Sequence, residues 1–432
     1  MPSTRLLAAL GLVTLLLPAG LLLPWMVPMA FAVDALLLLA FAVDLRRAAG
    51  ASLEARREWP PLLVQDSPAV VETAVTSRAS RALRLRLREG LSPALAPAPR
   101  RHEMELPAGG RGEWSVELSP SRRGDHAVAP LTVRCLGPWG LAWSQRDLLP
   151  VERRAVFPQV RWQGKVGQLL VLAQRRQLGT PDRHLRGVGS EPYGLREYLP
   201  GDPLNRIHWK ATARHGRLVT REETWERGAR LVVLIDGARA MASLDGARSK
   251  LDHALAAALA LTRVAAARGD QVTVVGFSDR VERTVRVGRS MAAAYRALYD
   301  FEARLVEPAY DLAVEAAIDA SPRRATVLLF TSVVDLVAGE VLRDALLKLE
   351  RRHRPMLINL QDAELSHLAL DPPVDADAAY AQASALEILL ANRRLTQRMR
   401  RAGVRVVQPV ADRLALETLE SYLEIFRGRG SR

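Results

Sequence analysis

Residues 6–43 of this 432-residue chain carry one charged side chain, Asp34. That run is roughly twice the ~20 apolar residues a membrane-spanning helix needs, so it constrains the N-terminus more than any other feature. Pro24 and Pro28, with Trp25 between them, interrupt it near the middle. Proline disfavours one straight helix there, and tryptophan suits a membrane interface. We expect a transmembrane hairpin within residues 1–50, with helices over about 6–23 and 26–45. Arg5 flanks one end and Arg46, Arg47, Arg56 and Arg57 the other, whereas the turn has no Lys or Arg. Positive charge stays on the cytoplasmic side, so the rest of the chain should face the cytoplasm, with membrane lipid as its first partner. A cleaved leader is the competing reading, because Ala30-Phe31-Ala32 resembles a processing site. The apolar run continues past it through 36–43, which a leader does not need. Asp34 falls early in the second helix and is read as interfacial.

The formal net charge is +14, which favours anionic neighbours. Nearly all of that charge is arginine; lysine occurs only at Lys165, Lys210, Lys250 and Lys348. A GC-rich genome produces such a composition without any binding surface, and no nucleic-acid recognition module is present, so nucleic acid is not an expected partner. The single cysteine, Cys135, forbids an intramolecular disulfide and reads as a small core residue.

Residues 51–160 alternate as half-buried strands do. Leu83, Leu85 and Leu87 alternate with Arg84, Arg86 and Arg88; Trp114, Val116 and Leu118 alternate with Ser115 and Glu117. Gly/Pro/Ser clusters at 92–99 and 107–112 separate them. The spacing predicts an antiparallel β-sandwich. A solvated sheet face accounts for the alternating arginines better than a lipid-binding stripe does.

From 230 to 432 the pattern becomes strand–helix alternation. Strands are expected over 231–235, 271–277, 281–287 (an edge strand), 326–330, 356–360 and 404–407. Helices are expected over 249–268, 291–304, 312–320, 342–352, 378–401 and 414–426. This is the pattern of a doubly wound α/β domain, whose crevice lies at the carboxyl ends of its strands. Asp236 and Ser332, with Asp335 beyond, fall at such ends. The fold class is therefore α/β plus all-β.

Residues 161–229 read as a linker. It contains Arg196-Glu197-Tyr198, then Pro200-Gly201-Asp202, then Arg206-Ile207-His208-Trp209-Lys210, and Arg214. Pro200-Gly201 fits a type II turn, and Asp202 can accept backbone donors. Glu197 could pair with Arg196, Arg206 or Arg214. Trp209 is read as an anchor between the two domains. The segment is either a structural device or a binding epitope.

Together with the hairpin and Gly137-Pro138-Trp139-Gly140-Leu141, this segment resembles the bacterial membrane proteins of domain-of-unknown-function family 58. The resemblance implies a von Willebrand factor A-like second domain, the bacterial inner membrane, and a MoxR-type AAA+ ATPase as partner. Such a domain usually holds a divalent cation through an Asp-x-Ser-x-Ser loop, a Thr and a second Asp, since hard cations take oxygen ligands. Here Asp236 remains, but Ala238 and Ala240 replace both hydroxyls, Tyr310 stands for the Thr and Ser332 for the Asp. No metal and no other cofactor is expected.

Enzyme signatures are lacking. No P-loop is present, and Gly187-Val188-Gly189 is followed by Pro192 where a dinucleotide loop needs glycine. The expected role is a membrane-anchored, non-enzymatic scaffold or adaptor. The alternatives are a hydrolase built on His208, Lys210, Glu197 and Asp202, and an anionic lipid or nucleic-acid binder built on Arg393, Arg394, Arg398, Arg400 and Arg401.

Overall fold

A computed structural model describes residues 1–16, 18, 25–95, 101–160, 164–178, 191–198, 207–224, 229–288, 290–333 and 336–427. They form two compact units, Met1–Gln159 and Val160–Arg432, in a mixed α/β chain with several sheets.

The first unit opens with α1 (Thr4–Leu16) packed on α2 (Met26–Ala49). The 24 residues of α2 are apolar enough to cross a membrane, and at 1.5 Å per residue they span about 36 Å. Pro28 is tolerated because it sits in the first turn, where no N–H is needed. At 13 residues α1 is shorter than a span; part of the expected first helix lies outside the described residues. The strands follow: β1 (Leu53–Glu58), β2 (Leu63–Val64), β3 (Ala69–Ser77), β4 (Leu83–Gly90), β5 (Arg101–Leu106), β6 (Arg111–Leu118), β7 (Gly124–Leu136), β8 (Trp143–Asp147) and β9 (Glu152–Phe157). They make a three-stranded sheet, β1-β3-β6, and a larger one, β2-β9-β7-β4-β5, with β8 also on β7. Leu53 and Val75 from the first sheet share one core with Leu85, Leu87, Val133 and Cys135 from the second.

Strand β4 alternates as its sequence does, with its leucines buried and its arginines exposed. Those arginines face acids on β5: Arg86 lies 2.8 Å from Glu103, and Arg84 3.8 Å from Glu105. This is a solvated, charge-paired face. One expectation fails here. Arg57 does not flank the membrane helix; it lies in β1 with its side chain fully buried, 2.5 Å from Glu89 of β4. Thr73 of β3 donates to the other Glu89 oxygen at 3.0 Å, so the pair ties the two sheets together.

The second unit begins with α3 (Lys165–Leu178), β10 (Glu191–Glu197), α4 (Trp209–His215) and β11 (Val219–Thr224); β10 and β11 pair antiparallel. Next come β12 (Arg230–Asp236), β13 (Leu244–Asp245), β14 (Arg248–Ser249), α5 (Lys250–Ala267), β15 (Gln271–Phe277), β16 (Val281–Val287), α6 (Ala292–Leu298), α7 (Tyr310–Ala320) and β17 (Thr326–Thr331). The chain then runs through α8 (Leu336–Glu350), β18 (Arg354–Asn359), α9 (Ala363–Leu370), α10 (Ala376–Arg401), β19 (Arg405–Val407) and α11 (Leu414–Arg427).

The main sheet has the order β16-β15-β12-β17-β18-β19, parallel except for the antiparallel edge strand β16. Both faces are covered, which explains the unbroken apolar runs. Leu231, Val233 and Ile235 of β12 pack with α3, α5 and α11; Val232 and Leu234 pack with residues of α7, α8 and α10. Helix α5 starts on a capping box, Ser249 with Asp252. The expected helix over 291–304 stops at Leu298, because Phe301 turns inward against Gly237 and Gly276. Helix α9 was not foreseen.

Candidate functional site

Neighbours of β12 on its two sides are β15 and β17, so strand order reverses between β12 and β17. In open α/β sheets, ligand sites form at the carboxyl ends beside such a reversal. Those ends bring Asp236 and Thr331-Ser332 together. The loop after β12 is held close by Gly237, where a Cβ would meet the Phe301 ring at 2.6 Å. Asp236 is 1% exposed. Its Oδ1 accepts from the Ala238 N–H at 2.7 Å, and its Oδ2 accepts from the Thr331 hydroxyl at 2.6 Å. The Tyr310 hydroxyl lies 3.1 Å from that same Thr331 oxygen. Burial pushes the Asp236 pKa up to about 6, against the pull of the two hydrogen bonds; Glu307 adds to the rise.

Ser332 donates to the Leu360 carbonyl at 3.2 Å and accepts from the Lys250 ammonium at 3.3 Å. Lys250 is 4% exposed and pairs with Asp362 at 3.1 Å. Burial acts to raise the Asp362 pKa, but Lys250 and the N–H groups of Leu365 and Glu364 outweigh it and hold the carboxyl below its ordinary range.

These contacts test the fit of a divalent cation. Ala238 and Ala240 offer no side-chain oxygen. Both Asp236 oxygens are engaged, and an ammonium already sits on Ser332. Among the described residues no three His, Cys, Asp or Glu side chains gather as a metal centre would need. The residues present do not fit the metal. Asp335 lies outside the described residues.

The signature segment divides. Pro200, Gly201, Asp202 and Arg206 lie outside the described residues, as do Gly187 and Gly189. The Arg196 backbone pairs with Thr220 across β10–β11, and the Tyr198 N–H donates to the Leu218 carbonyl at 2.9 Å. His208 caps α4: its Nδ1 accepts from the Ala211 N–H at 3.1 Å. Glu197 pairs with Arg217 at 3.4 Å, a partner that sequence reasoning did not name. Lys210 and Arg214 are exposed on α4. Trp209, the first residue of α4, is 66% exposed.

Two groups were missed in the sequence. Lys250 is the first residue of α5, where a cation opposes the helix dipole unless something pairs it; that conflict was the available signal. Asp44 is the other. It is fully buried near the end of α2 and accepts from the backbone N–H groups of Trp139, Leu141 and Ala142 at 2.8, 2.8 and 2.9 Å. A Cβ at Gly137 would lie 2.3 Å from its carboxylate, which explains the glycine that opens Gly-Pro-Trp-Gly. Arg47 stacks over Trp139 at 4.9 Å. Arg81 and Arg146 donate to carbonyls at and just beyond the end of α2, those of Arg47 and of Ala49 and Ala51, where the helix dipole welcomes cations. The apolar helix is thereby fastened to the strands of its own unit.

Fold and site define a mixed α/β protein with an N-terminal apolar helix long enough to span a bilayer, and a carboxyl-edge crevice whose buried polar groups pair with one another. Residues 194–405, just under half of the chain, match the family described as "Protein of unknown function DUF58". No curated protein matches the chain. Among solved structures, the CARDB domain of the PF1109 protein from Pyrococcus furiosus is similar at 9% identity, covering 24% of this chain and 88% of its own, with a TM-score of 0.19. The ASH/PapD-like domain of human CEP192 is similar at 13% identity over 24% of this chain and 81% of its own, with a TM-score of 0.17. Likenesses of that size carry no conclusion about fold or ligand.

Proposed function

We propose that the chain is a non-enzymatic, membrane-anchored adaptor. In this reading α2, with α1 as the rest of a hairpin, holds it in the bacterial inner membrane. The first unit is a β-sandwich. The second is a von Willebrand factor A-like domain without metal that docks a partner protein in the cytoplasm. The orientation rests on Arg5, Arg46 and Arg47; Arg57 no longer contributes.

One observation carries the docking reading. The crevice turns its charged groups inward, while the loop beside it turns an apolar one outward. Leu305 is 85% exposed. The backbone around it is pinned, because the Arg304 N–H donates to the Gly237 carbonyl at 2.8 Å and the Arg239 N–H to the Val306 carbonyl at 3.0 Å. Charged pairs rim it, Arg239 with Glu307 at 2.9 Å and Arg304 with Asp279 at 2.6 Å. An apolar residue inside a polar rim is the layout of a small protein-docking patch. The partner suggested by the family resemblance is a MoxR-type AAA+ ATPase.

The test uses the purified full chain in nanodiscs and the MoxR-type ATPase of the same organism. Leu305→Glu should weaken their binding at least tenfold with an unchanged melting temperature. Equal binding by the variant would end the docking reading at this rim.

A further inference from the structure

A cavity of about 570 Å³ opens at the carboxyl ends of β17 and β18, bounded by α9 and α10. Its volume falls in the range of small-molecule sites. The sequence of α10 explains its lining. Leu386, Leu389, Arg393, Thr396 and Arg400 recur at spacings of three and four residues, so they share one face of the helix, and all five line the cavity. That face changes character along its length. The leucines come first, opposite Leu365 and Ala369 of α9; the arginines come later. Leu386 and Arg393 are seven residues apart, on the order of 10 Å along the helix axis.

The charges do not cancel. Among the described residues of the lining Asp362 is the only acid, and Lys250, Arg393 and Arg400 are the cations. Asp362 is engaged at both oxygens: Oδ2 with Lys250, and Oδ1 with the N–H groups of Glu364 and Leu365 at 3.1 and 3.3 Å. Pairing Lys250 with Asp362 leaves two arginines uncompensated among the described residues of the lining. Arg400 spends one donor on the Val406 carbonyl at 3.1 Å, and Arg393 forms no ion pair among the described residues. An anion placed here meets guanidinium groups that can bind it in bidentate fashion.

We infer that this cavity binds an anionic amphiphile: a phosphate or carboxylate head held by Arg393 and Arg400, and an acyl or alkyl body lying along Leu386, Leu389 and Ala369. The site is separate from the Leu305 rim and does not depend on the docking reading. The amphiphile can come from the bilayer as a phospholipid or from solution as a free acyl compound; the head and tail chemistry is the same.

The test is calorimetric titration of octyl phosphate into the full chain held in phosphatidylcholine nanodiscs. Binding should be at least tenfold weaker in the Arg393→Ala/Arg400→Ala double variant, whose positions are exposed and whose fold is checked by melting temperature. Ala369→Trp, which fills the apolar end, should abolish it. Octyltrimethylammonium, with the same tail and the opposite charge, should not bind, and inorganic phosphate should bind at least tenfold more weakly than octyl phosphate. Equal binding of either control, or of octyl phosphate to the arginine variant, overturns the inference. Adding phosphatidylglycerol to the nanodisc separates the sources: a bilayer lipid lowers octyl phosphate affinity by competition, and a soluble amphiphile leaves it unchanged.

Discussion

Replacing Asp236 by asparagine should make the second unit more stable at neutral pH. The carboxyl is 1% exposed and its pKa is pushed up to about 6 from an ordinary 3.8, chiefly by burial. Between those two values the folded chain keeps a proton that the unfolded chain releases. The contribution of Asp236 to stability is therefore full below pH ~4 and falls as pH rises to about 6. A gap of a little over two units corresponds to about 3 kcal/mol lost by pH 7. Asparagine has the shape of the neutral acid. Its Oδ1 accepts from the Ala238 N–H, and its Nδ2 donates to the Thr331 oxygen, whose own proton turns to Tyr310.

Native-state hydrogen exchange of the β12 and β17 peptides, corrected for intrinsic rates, reads this free energy in the full chain. Other carboxyls titrate too: Asp270 is raised by burial, and Asp279 is lowered chiefly by the Ser278 hydroxyl. The difference between wild type and Asp236→Asn removes them. That difference should be near zero at about pH 3, about 1 kcal/mol at about pH 4.5 and about 3 kcal/mol in favour of the variant at about pH 7.5. A flat difference refutes the argument. So does a variant that is less stable at pH 7.5, since the carboxylate would then be wanted in its charged form. Wild type stabilised by millimolar magnesium would point the same way and restore a metal to this loop.

Two further outcomes belong to the first unit. Glu89→Ala strands the buried Arg57 guanidinium and should cost about 3–5 kcal/mol, seen as an earlier urea midpoint for peptides of β1 and β4. Asp44→Ala leaves three backbone N–H groups without their acceptor; at roughly 1–3 kcal/mol for each unsatisfied group it should free the 137–142 loop, measured as faster exchange there, and Gly137→Ala should do the same by driving a Cβ into the carboxylate.

What was legible in the sequence follows from periodicity. The leucine–arginine alternation of β4 and the apolar runs of β12 and β17 each report which faces are buried, and burial is what sets them. Periodicity carries no information about partners. Arg57 was therefore read with its neighbours as a basic flank, when Glu89, 32 positions away, draws it into the core. Helix α9 did leave a local signal, an Asp362 cap and Pro372-Pro373 beyond its end, but the helix is only eight residues long, too short a run for periodicity to register.

The crevice shows the same limit from the other side. The sequence shows that Ala238 and Ala240 offer no hydroxyl beside Asp236, and a carboxylate buried there without partners would carry an uncompensated charge. The structure answers that problem with two changes that no local pattern links. Thr331 and Ala238 take the carboxylate's oxygens, and the raised pKa lowers the cost of holding it as the neutral acid. Beside it, Lys250 brings a fixed cation to Ser332 and Asp362 from the start of a helix 82 residues upstream of that serine. A lysine at a helix N-terminus is costly by itself. It becomes favourable only when a half-buried carboxylate from another element meets it, so its meaning lies in the pairing and cannot be read from either residue alone.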